Sequence, residues 1–306
     1  METVLLDRQE PEARRTLSLL PIDVDAGVLI GPPFSPVTLA AEKLTQKGIP
    51  YVVDLGDPWA LTADPAARSL SLFGRRSRAE KACFAGAAGA ILTTAGQAEA
   101  LAENFPRLPI LVRPNGYDAT APASIPDPRD RTGQVRLAYY GGFYETYAVE
   151  ALITLVDNLS KSGERIELTV FGRDWTGALK ALGQSACIEF RRPRPWVEVL
   201  ATTGEFDAAV VVGHRDPRKL PSKAIQYLTL PIPRLAACAS ATDSLGRYVA
   251  DKPGYLTVTP GDADPAQILR HIDRRWSASD LAPPPEESWD SVAPRIAEFI
   301  SASIRS

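Results

Sequence analysis

Short β-branched and apolar runs alternate along this chain with stretches whose apolar positions recur every three to four residues. Such alternation predicts parallel α/β units. In the first part the predicted strands are Val28–Ile30, Tyr51–Asp54, Ala90–Thr94 and Ile110–Val112. A helix falls between the first two: Ser35 is placed to cap it, Pro36 suits the first helical position, and Gly48 closes it. Leu39, Ala40, Ala41 and Leu44 supply its apolar stripe. Pro65–Ala85 and Gln97–Asn104 read as further helices.

Between Ala119 and Gln134 the periodicity stops and Ala, Pro, Asp and Arg dominate, which reads as a linker over 119–134. A second series follows, with strands Val135–Tyr140, Ile166–Phe171, Cys187–Phe190, Ala208–Val212, Arg234–Ala237 and Tyr255–Val258. Helices are predicted near Ala148–Lys161, Trp175–Gln184, Trp196–Thr202, Ser222–Leu230 and Ala266–Arg275. After the prolines Pro283–Pro285, a last helix carries Trp289, Val292, Ile296, Phe299 and Ile300 on one face. The expected fold class is therefore α/β. It comprises two doubly wound Rossmann-like domains facing a cleft, residues 1–120 and 135–282, with a terminal helix over 286–306.

Composition narrows the picture. A length of 306 residues suits two domains, and 45% apolar residues suffice for packed cores. The longest apolar runs, such as Ala208–Val212, are too short to cross a bilayer. The first ten residues lack the basic and apolar regions of a secretory leader, so a cytoplasmic protein is expected. Cys83, Cys187 and Cys238 are scattered and read as small buried hydrophobes in a reducing compartment. The net charge of −3 argues against a nucleic-acid binder. Only His214 and His271 are present, which excludes a histidine-based metal centre. Asp23-Val24-Asp25 precedes its strand and Asp262-Ala263-Asp264 starts a helix, so neither reads as a metal site.

In doubly wound sheets, ligands bind beyond the carboxyl ends of the strands. The loop after Val210–Val212 is the most informative: Arg215, Arg218, Lys219 and Lys223 cluster against the single carboxylate of Asp216. Cations at a helix start oppose its dipole by roughly 0.3–1 kcal/mol each. That arrangement suits an anion bound by the Pro221–Lys223 helix start, with Gln226 on the same face for hydroxyls. A solvated basic loop is the alternative, because water screens such charges. His214, in the same loop, reads either as a substrate contact or as a surface residue. Gly141-Gly142 after Tyr139-Tyr140 allows close approach of a ligand or an ordinary turn. No dinucleotide or P-loop fingerprint is present. Asp57 and Trp59, after Tyr51–Asp54, either line the cleft or form a turn with a buried indole. Asn115-Gly116 is turn chemistry with donors toward the cleft.

YVVDLGDPW, ILTTAGQAEAL, VRPNGYD, LAYYGGFY, LTVFGRD and LPSKAIQYLTLPIP stand in an order and spacing that resemble GT-B glycosyltransferases of family 4. The resemblance spans Val28 to Ser306. It implies a retaining, hexosyltransferase-type enzyme that moves a sugar from a nucleotide-diphosphate sugar to a hydroxyl of a glycan, lipid-linked or small-molecule acceptor. No metal or other cofactor is implied, and peripheral contact with the inner face of a membrane is a common setting. Carried onto this sequence, it gives Lys223 and Ser222 to the donor diphosphate and Gly141 and Gly142 to the loop beneath it. Arg173, His214 and Arg218 join the donor side. Gln226 stands where the family usually has a ribose-binding glutamate, and Lys223 and Gln226 are the implied catalytic pair. Asp57, Trp59, Asn115 and Gly116 fall on the acceptor-side domain, onto which the terminal helix would cross back. The family's first glycine-rich βα unit has no counterpart in Met1–Leu20, so the implied member is N-terminally abbreviated, and no Arg or Lys follows Gly141-Gly142. A GT-B-like protein that binds nucleotide or glycan without turnover is the alternative, and an epimerase or phosphorylase on the same plan a third.

Overall fold

The structure is a computed structural model that describes residues 11, 12, 15, 23–65, 70–118, 133–144 and 146–305. Most of the predicted linker, and Met1–Leu20 apart from three positions, lie outside the described residues. Two compact units form, Met1–Asn115 with Val292–Ser306, and Gly116–Ser291.

In the first unit, strands β1 (Gly27–Gly31), β2 (Tyr51–Leu55), β3 (Gly89–Leu92) and β4 (Ile110–Val112) make a parallel sheet in sequential order. Its buried positions, among them Tyr51, Val53, Leu55 and Leu92, face Val37, Ala41 and Leu44 of the helix Phe34–Gln46. That helix begins ahead of the predicted cap, so Ser35 lies buried within it and Pro33 precedes it without a side-chain cap. Pro36 is tolerated because backbone N–H groups of a first turn have no intrahelical acceptor. Gly48 ends the helix at φ +66, the left-handed conformation that favours glycine. The helix Ala95–Ala102 starts on a capping box between Thr94 and Gln97. The last helix, Trp289–Arg305, brings Phe299 and Ser303 against Gly89 so closely that a Cβ there would lie 2.7 Å from Ser303 Oγ.

The second unit has strands β5 (Gln134–Tyr140), β6 (Arg165–Phe171), β7 (Cys187–Arg191), β8 (Ala208–Val212), β9 (Arg234–Ala237) and β10 (Tyr255–Val258). They form one parallel sheet in the order β10-β9-β8-β5-β6-β7. From β5 the chain runs outward through β6 to β7, and then returns to build the other wing through β8. The order therefore reverses between β5 and β8, and the crevice beyond their carboxyl ends is where such sheets take ligands. Leu137, Leu168, Val170, Val210 and Val212 pack one face against Leu152 and Leu155 of the helix Val149–Ser160.

Several expectations are corrected here. The predicted helix Ser222–Leu230 is one α-turn, Lys223–Gln226, followed by a 3-10 turn, Tyr227–Thr229. Pro231 and Pro233 stop it, and the buried guanidinium of Arg234 takes up the carbonyls of Leu228 and Leu230. Trp175–Gln184 reduces to the 3-10 segment Ala178–Gln184, because the Asp174 carboxylate accepts from the N–H groups of Thr176, Gly177 and Leu179 and winds a turn. A further helix, Ser244–Val249, follows β9; Asp243 caps it by accepting from Gly246 N at 2.8 Å. Cys83 and Cys238 are buried, whereas Cys187, on the edge strand β7, is exposed.

Candidate functional site

The site grows from the chain reversal between β5 and β8. Beyond β5, Gly141 adopts φ +125, and a Cβ there would fall 2.3 Å from Cε of Lys223. Only glycine lets the lysine side chain cross the backbone at that point. Gly172, after β6, is constrained by backbone, since its Cβ would meet the Gly141 carbonyl oxygen at 2.2 Å. Gly142 lies beneath Trp175, whose Nε1 would be 3.1 Å from a Cβ on that glycine. Isolated bridges Phe143–Asp174 and Tyr147–His214 hold the three loops beyond β5, β6 and β8 together.

Lys223 is half-buried, and its Nζ donates to the Tyr147 hydroxyl at 2.9 Å. The ammonium also stands 5.2 Å and 5.0 Å from the ring centroids of Tyr139 and Tyr147, within cation–π range. The Tyr147 ring stacks on His214 at 4.4 Å. His214 is 6% exposed, which corrects the surface reading. Its Nδ1 donates to the Thr146 carbonyl at 3.2 Å. Burial, and then the neighbouring charge of Lys219, lowers its pKa to about 3, so the ring is neutral at physiological pH. The buried histidine thus adds no further positive charge beside Lys223 and Lys219.

The remaining basic residues of the loop divide. Arg215 is held by Glu150 at 2.6 Å and by the Tyr147 carbonyl at 3.2 Å, so its fork staples the loop. Arg218 N donates to Asp216 Oδ1 at 2.9 Å, which fixes the turn before Pro221. Ser222 is exposed, and its carbonyl accepts from Gln226 N at 3.2 Å, which sets Gln226 one turn beyond it. Arg173 is exposed, its guanidinium 5.5 Å above the Trp175 ring. Trp175 is itself 61% exposed and lies parallel to Tyr144 at 6.4 Å. A groove of about 660 Å³ runs from Gly172 and Arg173 past Leu179 and Lys180 to Ile188 and Phe190 of the edge strand. Leu179, Ala186, Ile188 and Phe190 give it apolar walls, and Arg173, Lys180 and the Asp174 carboxylate stand along it. Gly141, Gly142, Arg173, His214 and Lys223 are thus brought together, with Ser222 beside them.

Of the acceptor-side residues, Asp57, Trp59 and Asn115 belong to the first unit and Gly116 to the second. Trp59 is 6% exposed and stacks on Phe34 at 4.5 Å, so its indole belongs to the core of the first unit. Gly116 lies under the Trp289 indole, where a Cβ would be 2.7 Å from the ring, and packing accounts for this glycine. Asp57 and Asn115 are half-buried. Tyr147 is the residue that sequence reasoning missed; the signal available was a second tyrosine closing the loop after the paired glycines. Among the described residues no three His, Cys, Asp or Glu side chains gather as metal ligands. None of the described helices is long and apolar enough to cross a membrane.

No family model matches the chain, and no curated protein matches it in sequence. Solved structures do match in fold. HepE from Anabaena in complex with UDP-glucose superimposes with a TM-score of 0.65 at 15% identity, over 90% of this chain and 78% of that one. Sucrose-phosphate synthase from Thermosynechococcus elongatus gives 0.65 at 14% identity, over 98% and 80%. The pneumococcal O-GlcNAc transferase GtfA, in complex with UDP and GlcNAc, gives 0.58 at 10% identity, over 97% and 60%. These neighbours are GT-B glycosyltransferases. The chain has their α/β fold with two parallel sheets.

Proposed function

We propose that this protein is a glycosyltransferase of the family 4 type. It would take the sugar of a nucleotide-diphosphate donor and pass it, with retention at the anomeric carbon, to a hydroxyl acceptor. The observation that carries the reading is the Lys223 ammonium laid over Gly141 at the β5–β8 reversal, with close backbone on one side and aromatic faces on the other. In this reading the donor diphosphate accepts from Lys223, from the backbone around Gly141-Gly142 and from Ser222. The apolar groove bordered by Arg173 and Phe190 takes the nucleoside.

As the bond from the anomeric carbon to the β-phosphate oxygen breaks, negative charge builds on the departing diphosphate. The acceptor oxygen bonds to the same face of that carbon, and its proton passes to the leaving phosphate. Lys223 stabilises the departing charge, so no resident metal or other cofactor is required. A preorganised donor of this kind contributes roughly 3–4 kcal/mol to the transition state. Lys223→Ala is therefore expected to lower transfer by about 10²–10³-fold.

The experiment is a thermal-shift screen against UDP, GDP, ADP, TDP and their sugars, followed by product detection with the best donor. At a hundredfold excess over Kd, a bound nucleotide adds about 2.7 kcal/mol of stability. Transfer unchanged by Lys223→Ala refutes the catalytic assignment. Gln226 supports a second reading, a nucleotide-binding protein without turnover, because the amide keeps hydrogen bonding to ribose but lacks a carboxylate's charge. Nucleotide binding with no product from any sugar donor favours that reading.

A further inference from the structure

We infer that Tyr147 is the positioning residue for the Lys223 ammonium, holding it by its hydroxyl over Gly141 while leaving its charge free for an anionic ligand. The inference rests on the proposed role of Lys223 toward a diphosphate. A lysine has four rotatable bonds, and its free rotamers would disperse the ammonium over a wide volume. Three contacts narrow it here: the Gly141 backbone beneath Cε, the Tyr139 ring, and the Tyr147 ring and hydroxyl.

Tyr147 can serve as an anchor because it is itself fixed. It is buried, His214 stacks on one face of its ring, and Phe143 meets it edge-on at 6.0 Å. Its carbonyl is held by Arg215, and its backbone bridges to His214. The chemistry of the partner matters as much as its rigidity. An ammonium has three hydrogens, and one bond to a phenol leaves two to donate. A carboxylate at the same place would fix the lysine equally well but would neutralise it. A neutral hydroxyl orients the cation and preserves its attraction for phosphate.

The test is a double-mutant cycle read by UDP titration of the full chain, using Tyr147→Phe, Lys223→Met and the double variant. Phenylalanine keeps the ring and its stack on His214 and removes only the hydroxyl. The expected result is that Tyr147→Phe weakens UDP binding roughly tenfold, the scale of one hydrogen bond to a charged group. On the Lys223→Met background the same change is expected to cost nothing. An equal loss on both backgrounds overturns the inference, since it marks a structural effect that does not pass through Lys223. A second readout separates this inference from the donor reading: the ¹⁵N-resolved lysine ammonium signal that disappears in Lys223→Met. If Lys223→Met binds UDP as the wild type does, or the wild type binds none, the donor role fails. The ammonium signal then decides Tyr147 alone. A signal that shifts and exchanges faster in Tyr147→Phe upholds the anchor, and an unchanged signal refutes it.

Discussion

The loop after β2 in the first unit and the loops after β5, β6 and β8 in the second occupy equivalent places in their sheets, yet their side chains are turned to opposite uses. In the first unit the buried Glu80 carboxylate accepts from Ala60 N at 2.7 Å, from Leu61 N and from Thr62 Oγ1 at 3.1 Å, and Trp59 stacks inward on Phe34. In the second unit Trp175 and Tyr144 are turned outward and Lys223 keeps a net charge on a neutral partner. In the first unit the polar groups of the loop are satisfied internally; in the second, Asp174 tightens the backbone after β6 while Trp175 stays exposed. On the proposed reading, this difference places the ligand chemistry in the second unit.

The largest expected contrast is between the two indoles. Trp59→Ala empties a buried site and is expected to cost about 3–5 kcal/mol of stability, whereas Trp175→Ala stays within about 0.5 kcal/mol. The exposed indole is expected to affect nucleotide affinity instead. Urea unfolding of both variants measures this, and equal destabilisation would erase the contrast.

Next comes pH. The two histidines lie in the second unit, and burial first of all lowers His214 to about 3 and His271 to about 4. Their unfolded value near 6.5 is higher, so the unfolded chain binds more protons and acid destabilises the fold. The stability is present above pH 6.5 and falls away toward the folded values, by about 2 kcal/mol for each histidine at pH 5. Glu80 in the first unit has the opposite sign, because burial raises its pKa and its contribution weakens as pH rises. Hydrogen exchange at pH 7 and pH 5 is expected to show loss of protection in β8 and β9 before β2 and β3; the reverse order would contradict it.

The smallest contrast is between two glycines with positive φ. Gly48→Ala meets open space and is expected to cost only the left-handed strain, about 1–2 kcal/mol. Gly141→Ala adds a collision with Lys223, so nucleotide affinity is expected to fall along with stability. Calorimetric melts and nucleotide titrations of both variants check this. A Gly141→Ala protein with unchanged affinity would detach the lysine from the site.

How far the sequence reveals this arrangement depends on the range of the interactions involved. Local signals are legible: the Val210–Val212 run, the basic residues after it, the paired glycines and the Gly48 stop each depend on neighbours in the chain. The shortness of the helix at Lys223 is legible only in part: Pro231 and Pro233 are local, but the bonds of Arg234 to Leu228 and Leu230 need the buried packing around them. The Lys223–Tyr147 bond joins residues 76 positions apart, and His214 is buried by that same distant tyrosine. Strand order, which puts Gly141 beside the β8 loop, is likewise a property of the assembled sheet. An aspartate-proline-tryptophan turn reads the same in sequence whether its indole faces a cleft or a core; Phe34 decides it here.

The central claim, that an anion is held at the β5–β8 reversal of the second unit, is tested most directly by amide NMR of the ¹⁵N-labelled protein titrated with UDP. The account predicts saturable shifts at Gly141, Gly142, Gly213, His214 and Lys223, which weaken together in Lys223→Met. Shifts confined to Gly56–Thr62 of the first unit, or a spectrum unmoved by any nucleoside diphosphate, would contradict it.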